Sequence, residues 1–282
     1  MRRTLVLLTV TLAGVLALGQ ALPNPFDMGL GVRAMGFGGA YIAIAEGTEA
    51  LLTNPAGLGW SAGLRADSSL SSVLGLYSVT WLAGSIPNFG AGLGYLGVGG
   101  ITDPDGNPLA FSHLAAVVGA GFDLSGMRLF PFPAAGGMAF KFNRLQVADQ
   151  AGSGFALDVG LLGRMSTPLG ALRFGLALRE FGFGPTVGET GDGWSTDLAA
   201  GVALVNPLGF LLALDITSEY TALGVGWSAF GAFEIRTGLR IQAGLQWAFG
   251  LGVRWGMFVI DYALLTHPVL SAAHRFGFGA RF

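Results

Sequence analysis

Between residues 235 and 256 the chain alternates with a period of two. Odd positions read Ile235, Thr237, Leu239, Ile241, Ala243, Leu245, Trp247, Phe249, Leu251, Val253 and Trp255, while even positions carry Arg236, Arg240, Gln242, Gln246 and Arg254 among glycines and Ala248. Successive side chains of a strand point to opposite faces, so one face here is apolar and the other polar or small. The last strand repeats the pattern, with Phe276, Phe278, Ala280 and Phe282 alternating with Arg275, Gly277, Gly279 and Arg281. Alternation and turn signals together predict fourteen strands, at 64–73, 76–85, 89–99, 109–122, 134–146, 154–166, 171–182, 195–205, 209–218, 226–236, 238–246, 248–255, 257–265 and 273–282, with twelve as the alternative count. Turn residues at Asp103-Pro104-Asp105-Gly106-Asn107, Pro131-Phe132-Pro133 and Gly191-Asp192-Gly193 mark three of the breaks.

Such alternation suits a soluble β-sandwich or a membrane barrel. A sandwich carries dense charge on its outer face, whereas the polar face here is mostly glycine with an occasional arginine or glutamine. That fits a barrel lumen, with the apolar face toward lipid. The sheet must then close, because open edges leave amides unpaired in hydrocarbon. A helical membrane protein fits poorly: the uncharged stretch 68–102 contains Pro87-Asn88 and many glycines, and 198–214 is broken by Asn206-Pro207. The expected fold class is therefore all-β, a transmembrane antiparallel β-barrel of about fourteen strands.

Composition sharpens this. Of 282 residues, 48 are glycine and 52% hydrophobic, and only 11% are charged, against roughly 25% in ordinary soluble domains. Disorder is excluded by the apolar content. A net charge of −2 with no basic run argues against a nucleic-acid partner. Without cysteine there is no disulfide framework, thiolate nucleophile or cysteine-ligated metal.

Residues 1–21 read as a cleaved signal peptide: Arg2-Arg3, the apolar run Leu5 to Leu18, then Gly19-Gln20-Ala21 as a small-x-small site. The alternative, a membrane anchor, is short of the about 20 residues a spanning helix needs. Residues 22–60 form a separate N-terminal segment and 61–282 the barrel. In that segment Thr48 to Leu52 can make a short helix, capped by Thr48 and ending before Asn54-Pro55. Its glycine tract is a flexible linker in the plainest reading. It is not a phosphate loop, since no Gly-Lys-Ser/Thr follows.

Arg33-Ala34, the tract Gly36 to Ala45 and Asn54-Pro55-Ala56-Gly57-Leu58 resemble bacterial outer-membrane barrels of the long-chain fatty-acid transporter (FadL) superfamily, and more closely its PorV-type branch. Weaker echoes are Lys141, Asp158 to Leu162, Arg240, Ile260-Asp261-Tyr262 and Phe282. The resemblance implies a fourteen-stranded barrel whose N-terminal segment folds into the lumen as a plug. Arg33, Gly36, Gly38, Gly39, Asn54, Pro55 and Ala56 would be its plug or gating residues. The terminal Phe282 looks like the signal read by the barrel-assembly machinery, which with outer-membrane lipid would be a partner. The chain is shorter than a typical fatty-acid transporter, and its longest apparent loop lies around 183–196.

No cofactor, metal site or enzymatic activity is expected. His113, His267 and His274 sit in no motif with a nucleophile, and Asp103 to Asn107 lacks the distal glutamate of a calcium loop. Glu234, Arg236, Arg240 and Asp261 share the inward parity, and because buried ions are costly unless paired, they are expected to form an internal charge network. Solvated lumen charges are the alternative. Trp60, Trp81, Trp247, Trp255 and Tyr262 read as girdle aromatics at the lipid interfaces. Two functions stay open: a plugged barrel that binds or passes a hydrophobic small molecule, or a structural docking barrel for protein secretion or surface-protein attachment.

Overall fold

The computed structural model describes residues 24–26, 31–73, 77–98, 110–127, 129–187, 190–191 and 194–282. The leader over 1–21, the 103–107 turn and residues 192–193 lie outside these. Fourteen antiparallel strands form a closed barrel: β1 (Arg65–Val73), β2 (Tyr77–Ile86), β3 (Phe89–Val98), β4 (Phe111–Asp123), β5 (Ala134–Val147), β6 (Gln150–Thr167), β7 (Gly170–Phe183), β10 (Asp197–Val205), β11 (Phe210–Thr217), β12 (Thr221–Ala229), β13 (Phe233–Ile241), β14 (Leu245–Trp255), β15 (Phe258–Leu265) and β16 (Ala273–Arg281). Two short strands, β8 (Thr186–Val187) and β9 (Thr190–Gly191), make a separate ribbon on the connection between β7 and β10. Each barrel strand pairs with its sequence neighbours, and β1 pairs with β16 to close the seam. Beyond that pairing, the Phe282 N–H donates to the Leu64 carbonyl and the Leu64 N–H to that of Phe282. Among the described residues no helix is long and apolar enough to cross a membrane; the strands do so.

The faces follow the alternation. In β14, Leu245, Trp247, Phe249, Leu251, Val253 and Trp255 are exposed on the outside, while Gln246 and Ala248 are buried within. A closed barrel with a continuous apolar outer face leaves no unpaired sheet edge in hydrocarbon, which is what spanning a bilayer with strands demands.

Between 221 and 255 the strands are placed differently from the expectation, at Thr221–Ala229, Phe233–Ile241 and Leu245–Trp255. Turns fall at 230–232 and 242–244, inside the strands expected at 226–236 and 238–246. The cause is the hairpin geometry. Ile241 opposes Leu245 and Phe233 opposes Ala229, so three-residue loops keep opposed residues at the same odd or even parity. Opposed residues share a face, and the alternation therefore runs through both turns without a break.

Candidate functional site: the N-terminal segment inside the barrel

Residues 31–60 contain no strand. They form α1 (Val32–Gly36), a 3-10 turn at Gly47–Glu49, α2 (Ala50–Thr53) and a second 3-10 stretch at Pro55–Trp60. Phe37, Tyr41, Ile42, Leu51 and Leu58 are almost completely buried, against the inner face of the barrel. Thr48 caps nothing; its hydroxyl instead donates to the Asp67 carboxylate of β1 at 2.5 Å.

The glycine-rich inner face is a groove for this segment. A Cβ at Gly238 would lie 2.4 Å from the Phe37 carbonyl carbon, one at Gly137 2.4 Å from that of Pro55, and one at Gly175 2.6 Å from the Ile42 oxygen. Only a residue without a side chain lets two backbones approach so closely. The segment's own glycines answer in kind: a Cβ on Gly36 would meet Arg236 and Gly250 at 3.2 Å, one on Gly38 the Leu239 backbone at 3.1 Å, and one on Gly39 the Tyr220 ring at 3.2 Å. Gly38 and Gly39 also hold φ of 70° and 99°, which side-chain-bearing residues seldom adopt.

Polar ties fix the path. Asn54 is fully buried; its amide donates to the carbonyls of Ile42 (3.1 Å) and Leu161 (3.2 Å), and its oxygen accepts from Ala56 N–H (3.2 Å), so Pro55 and Ala56 start the 3-10 stretch directly against the wall. From β11, the Asp215 carboxylate accepts the N–H groups of Tyr41 (2.6 Å) and Ile42 (2.8 Å). Glu49 accepts those of Arg33 and Ala34 at the start of α1. Arg33 grips Glu234 of β13 through Nε and Nη2, both at 2.9 Å, and Glu46 through Nη1 at 3.0 Å. Burial works against the Arg33 charge, but Tyr41, Glu46 and Glu234 outweigh it and hold the guanidinium protonated. Burial likewise opposes ionisation of Glu46, yet Arg33 and Arg65 keep its carboxyl below the usual range. Glu49 goes the other way: burial, reinforced by Asp261, pushes it up to about 7.

Of the four residues expected to form a charge network, the structure joins three. Arg236 Nη2 lies 2.5 Å from Asp261 and Nη1 3.5 Å from Glu234, which Arg33 shares. Arg240 is apart from them, its guanidinium 3.9 Å from the centre of the Tyr220 ring. A second charged cluster escaped the sequence reading. Lys141, the chain's one lysine, is buried with Asp158 at 2.8 Å and Glu180 at 3.2 Å, and Asn24 donates to Glu180 at 3.0 Å. Glu180 reaches inward because the β6–β7 register shifts at Asp158 and Glu180 takes a φ of 59°, and a bulge re-aims a side chain in a way that alternation does not foresee.

Trp81 is no girdle residue. It faces inward, fully buried, its indole N–H donating to the Pro25 carbonyl at 3.2 Å and its ring 5.8 Å from Phe26. It has the same odd parity as the buried Val79 and Ser85 of β2. Trp60 belongs to the second 3-10 stretch, with the Arg164 guanidinium 4.9 Å from its ring centre. Trp247 and Trp255 are exposed on the outer face, and Tyr262 hydrogen-bonds His274 at 2.8 Å. Phe26 also stands edge-on to Trp194 at 5.7 Å and below the Lys141 ammonium at 5.1 Å. Val79, Leu96, Ala115 and Val117 of the wall belong to the same buried apolar cluster as Phe26 and Trp81. His113 is buried with its ring nitrogen 2.9 Å from the Asn143 amide, and among the described residues no cluster of three acidic or histidine side chains is placed to hold a metal.

The barrel fold has solved counterparts. The Ralstonia pickettii toluene transporter TbuX is 13% identical, with 90% of this chain and 99% of that one covered and a TM-score of 0.58. The CymD monoaromatic hydrocarbon channel is 11% identical, with 90% and 98% covered and a TM-score of 0.61. A Pseudomonas aeruginosa FadL homologue is 10% identical, with 93% and 99% covered and a TM-score of 0.52. What is shared is the fold. No family model matches the chain, and no curated protein matches it either.

Proposed function

We propose that this protein is an outer-membrane barrel that binds or passes a hydrophobic small molecule, with residues 22–60 acting as the plug. The observation that carries this reading is an apolar patch on the inner wall, against which the N-terminal segment packs. Water-filled porin channels have polar interiors, whereas here Val79, Trp81, Leu96, Ala115 and Val117 of the wall belong to one buried apolar cluster with Phe26. A hydrophobic solute gains by entering such a lining, and a hydrated one does not. The solved barrels of this fold include a toluene transporter and a monoaromatic hydrocarbon channel, which supports the same solute class. In this reading the plug gates by moving, its hold set by Asn54 and Arg33, and no catalytic group takes part. Phe282 serves as the assembly signal.

The test is uptake by cells carrying the protein as their one hydrocarbon-permeable barrel, measured with radiolabelled toluene and with a polar sugar. Replacing Asn54-Pro55-Ala56 by Gly-Ser-Gly is expected to change toluene uptake severalfold with sugar permeation unaltered. Equal toluene uptake with and without the protein, or a variant that merely becomes leaky to sugar, would favour the docking role and overturn the transport reading.

A further inference from the structure

At the end of the barrel where β1 begins and β16 ends, two pairs of arginines face one another directly across neighbouring strands. Arg65 opposes Arg281 in the β1–β16 register, and Arg164 opposes Arg173 in the β6–β7 register. All four share the parity of inward-facing neighbours: Ser69 and Ser71 in β1, Arg275 in β16, Asp158 and Leu162 in β6, Ala177 in β7. Like charges placed directly opposite destabilise a sheet. Two such pairs at one level of one lumen call for a negative partner.

The N-terminal segment supplies one carboxylate. Glu46 lies 3.0 Å from Arg33 and 3.5 Å from Arg65, and it is within electrostatic reach of Arg173 and Arg281. Asp67 is also within electrostatic reach of Arg65 and Arg281, and Asp123 of Arg164, yet among the described residues the ion pair these four guanidiniums make is Arg65–Glu46, which leaves most of their donors unmatched. The shortfall is visible, because the Nε groups of Arg173 and Arg281 are buried with no hydrogen-bond partner among the described residues. Beside Glu46 a cavity of about 50 Å³ is lined by Arg33, Arg65 and Arg281. The other carboxylates along that cavity are already engaged: Glu49 by the Arg33 and Ala34 amides, Asp67 by Thr48, and Asp261 by Arg236.

We propose that the arginines around Glu46, namely Arg65, Arg281 and Arg173, form a phosphate-type oxyanion site that is independent of any hydrophobic solute. A tetrahedral oxyanion offers several acceptors to planar guanidinium forks at once, which is the pairing arginine makes best. It would bridge charges that the fold has set against each other. The oxyanion has two sources, free phosphate or the headgroup of an anionic phospholipid at the membrane surface.

The experiment follows thermal unfolding of the full-length protein by tryptophan fluorescence in two arms. One is non-ionic detergent with inorganic phosphate against chloride at matched ionic strength; the other is nanodiscs of phosphatidylcholine with or without phosphatidylglycerol. A saturable rise in midpoint is expected in at least one arm, and the responding arm names the source. Arg281→Gln and Arg173→Gln should each weaken the response about tenfold or more, while holding or raising the midpoint without the anion, since each removes a like charge. Arg281→Lys keeps the charge but loses the fork, and should respond weakly in a fully folded barrel. Phosphate acting no differently from chloride with phosphatidylglycerol silent, or an Arg281→Lys response equal to the parent's, would overturn the proposal.

Discussion

Gly238 is one of the wall positions that meet the N-terminal segment through backbone alone, and adding one methyl group there tests whether the glycine face is a groove. An alanine Cβ would lie 2.4 Å from the Phe37 carbonyl carbon, 2.5 Å from its oxygen and 2.6 Å from the Gly38 nitrogen. Carbon contacts prefer about 3.5–4.0 Å, so the segment must withdraw by about 1 Å. All three neighbours are backbone and no rotamer change relieves them. Overpacking of this kind costs about 1–3 kcal/mol, which raises the population of detached segment about 5- to 150-fold. The barrel strand itself is not harmed, since glycine is the weaker residue inside a strand. Trypsin reads the outcome directly, because Arg33 is the one basic residue between 31 and 64. Gly238→Ala should be cut at Arg33 faster by that factor, with the barrel still resistant to dodecyl sulfate in the cold. Gly126→Ala, where a Cβ meets nothing within 4 Å, should behave as the parent. Cleavage of Gly238→Ala at the parental rate would refute the groove argument.

Other outcomes follow from the same contacts. Glu49, its acid dissociation pushed up to about 7 by burial, binds its proton more tightly in the folded protein than the usual carboxyl near 4.5; segment protection should therefore decline as pH rises from about 4.5 through 7, and trypsin rates for Glu49→Gln should lose that slope. Lys141→Met leaves Asp158 and Glu180 buried without their cation, a loss of about 3–5 kcal/mol that a lowered unfolding midpoint would register and that Lys141→Met/Asp158→Asn/Glu180→Gln should partly recover. Arg33→Gln breaks the bidentate hold on Glu234 and should expose the segment to chymotrypsin at Phe37, while Arg240→Gln, which removes a stack on the Tyr220 ring, should expose it less. Deleting Phe282 removes the paired hydrogen bonds to Leu64 at the seam and should slow barrel assembly in a pulse-chase measurement of heat-modifiable protein.

The barrel was legible in the sequence because lipid imposes its demand locally. Every second side chain of a spanning strand is expected to be apolar, and the odd positions from Ile235 to Trp255 record that at every step but Thr237. The same rule hid what does not disturb parity: the loops at 230–232 and 242–244 keep opposed residues on one face, so two turns vanished into continuous alternation. Alternation also says which face a residue takes but not what it meets there. Trp81 is odd like its buried neighbours, and only the arrival of Pro25 and Phe26 makes it an interior residue.

The site belongs to tertiary structure in a stronger sense. The sequence by itself determined that the inner face is rich in glycine and sparing of charge, and that Asn54-Pro55 ends a helix. It did not say why. Glycine reads alike as open space or as a contact too close for a side chain, and the distinction between an empty lumen and a groove for residues 31–60 exists only once Phe37, Ile42 and Pro55 lie against Gly238, Gly175 and Gly137. Arg65 and Arg281 are 216 positions apart in the chain and face each other because the seam closes at β1 and β16. Pairings of that range are set by closure, a property of the whole sheet that no local pattern carries.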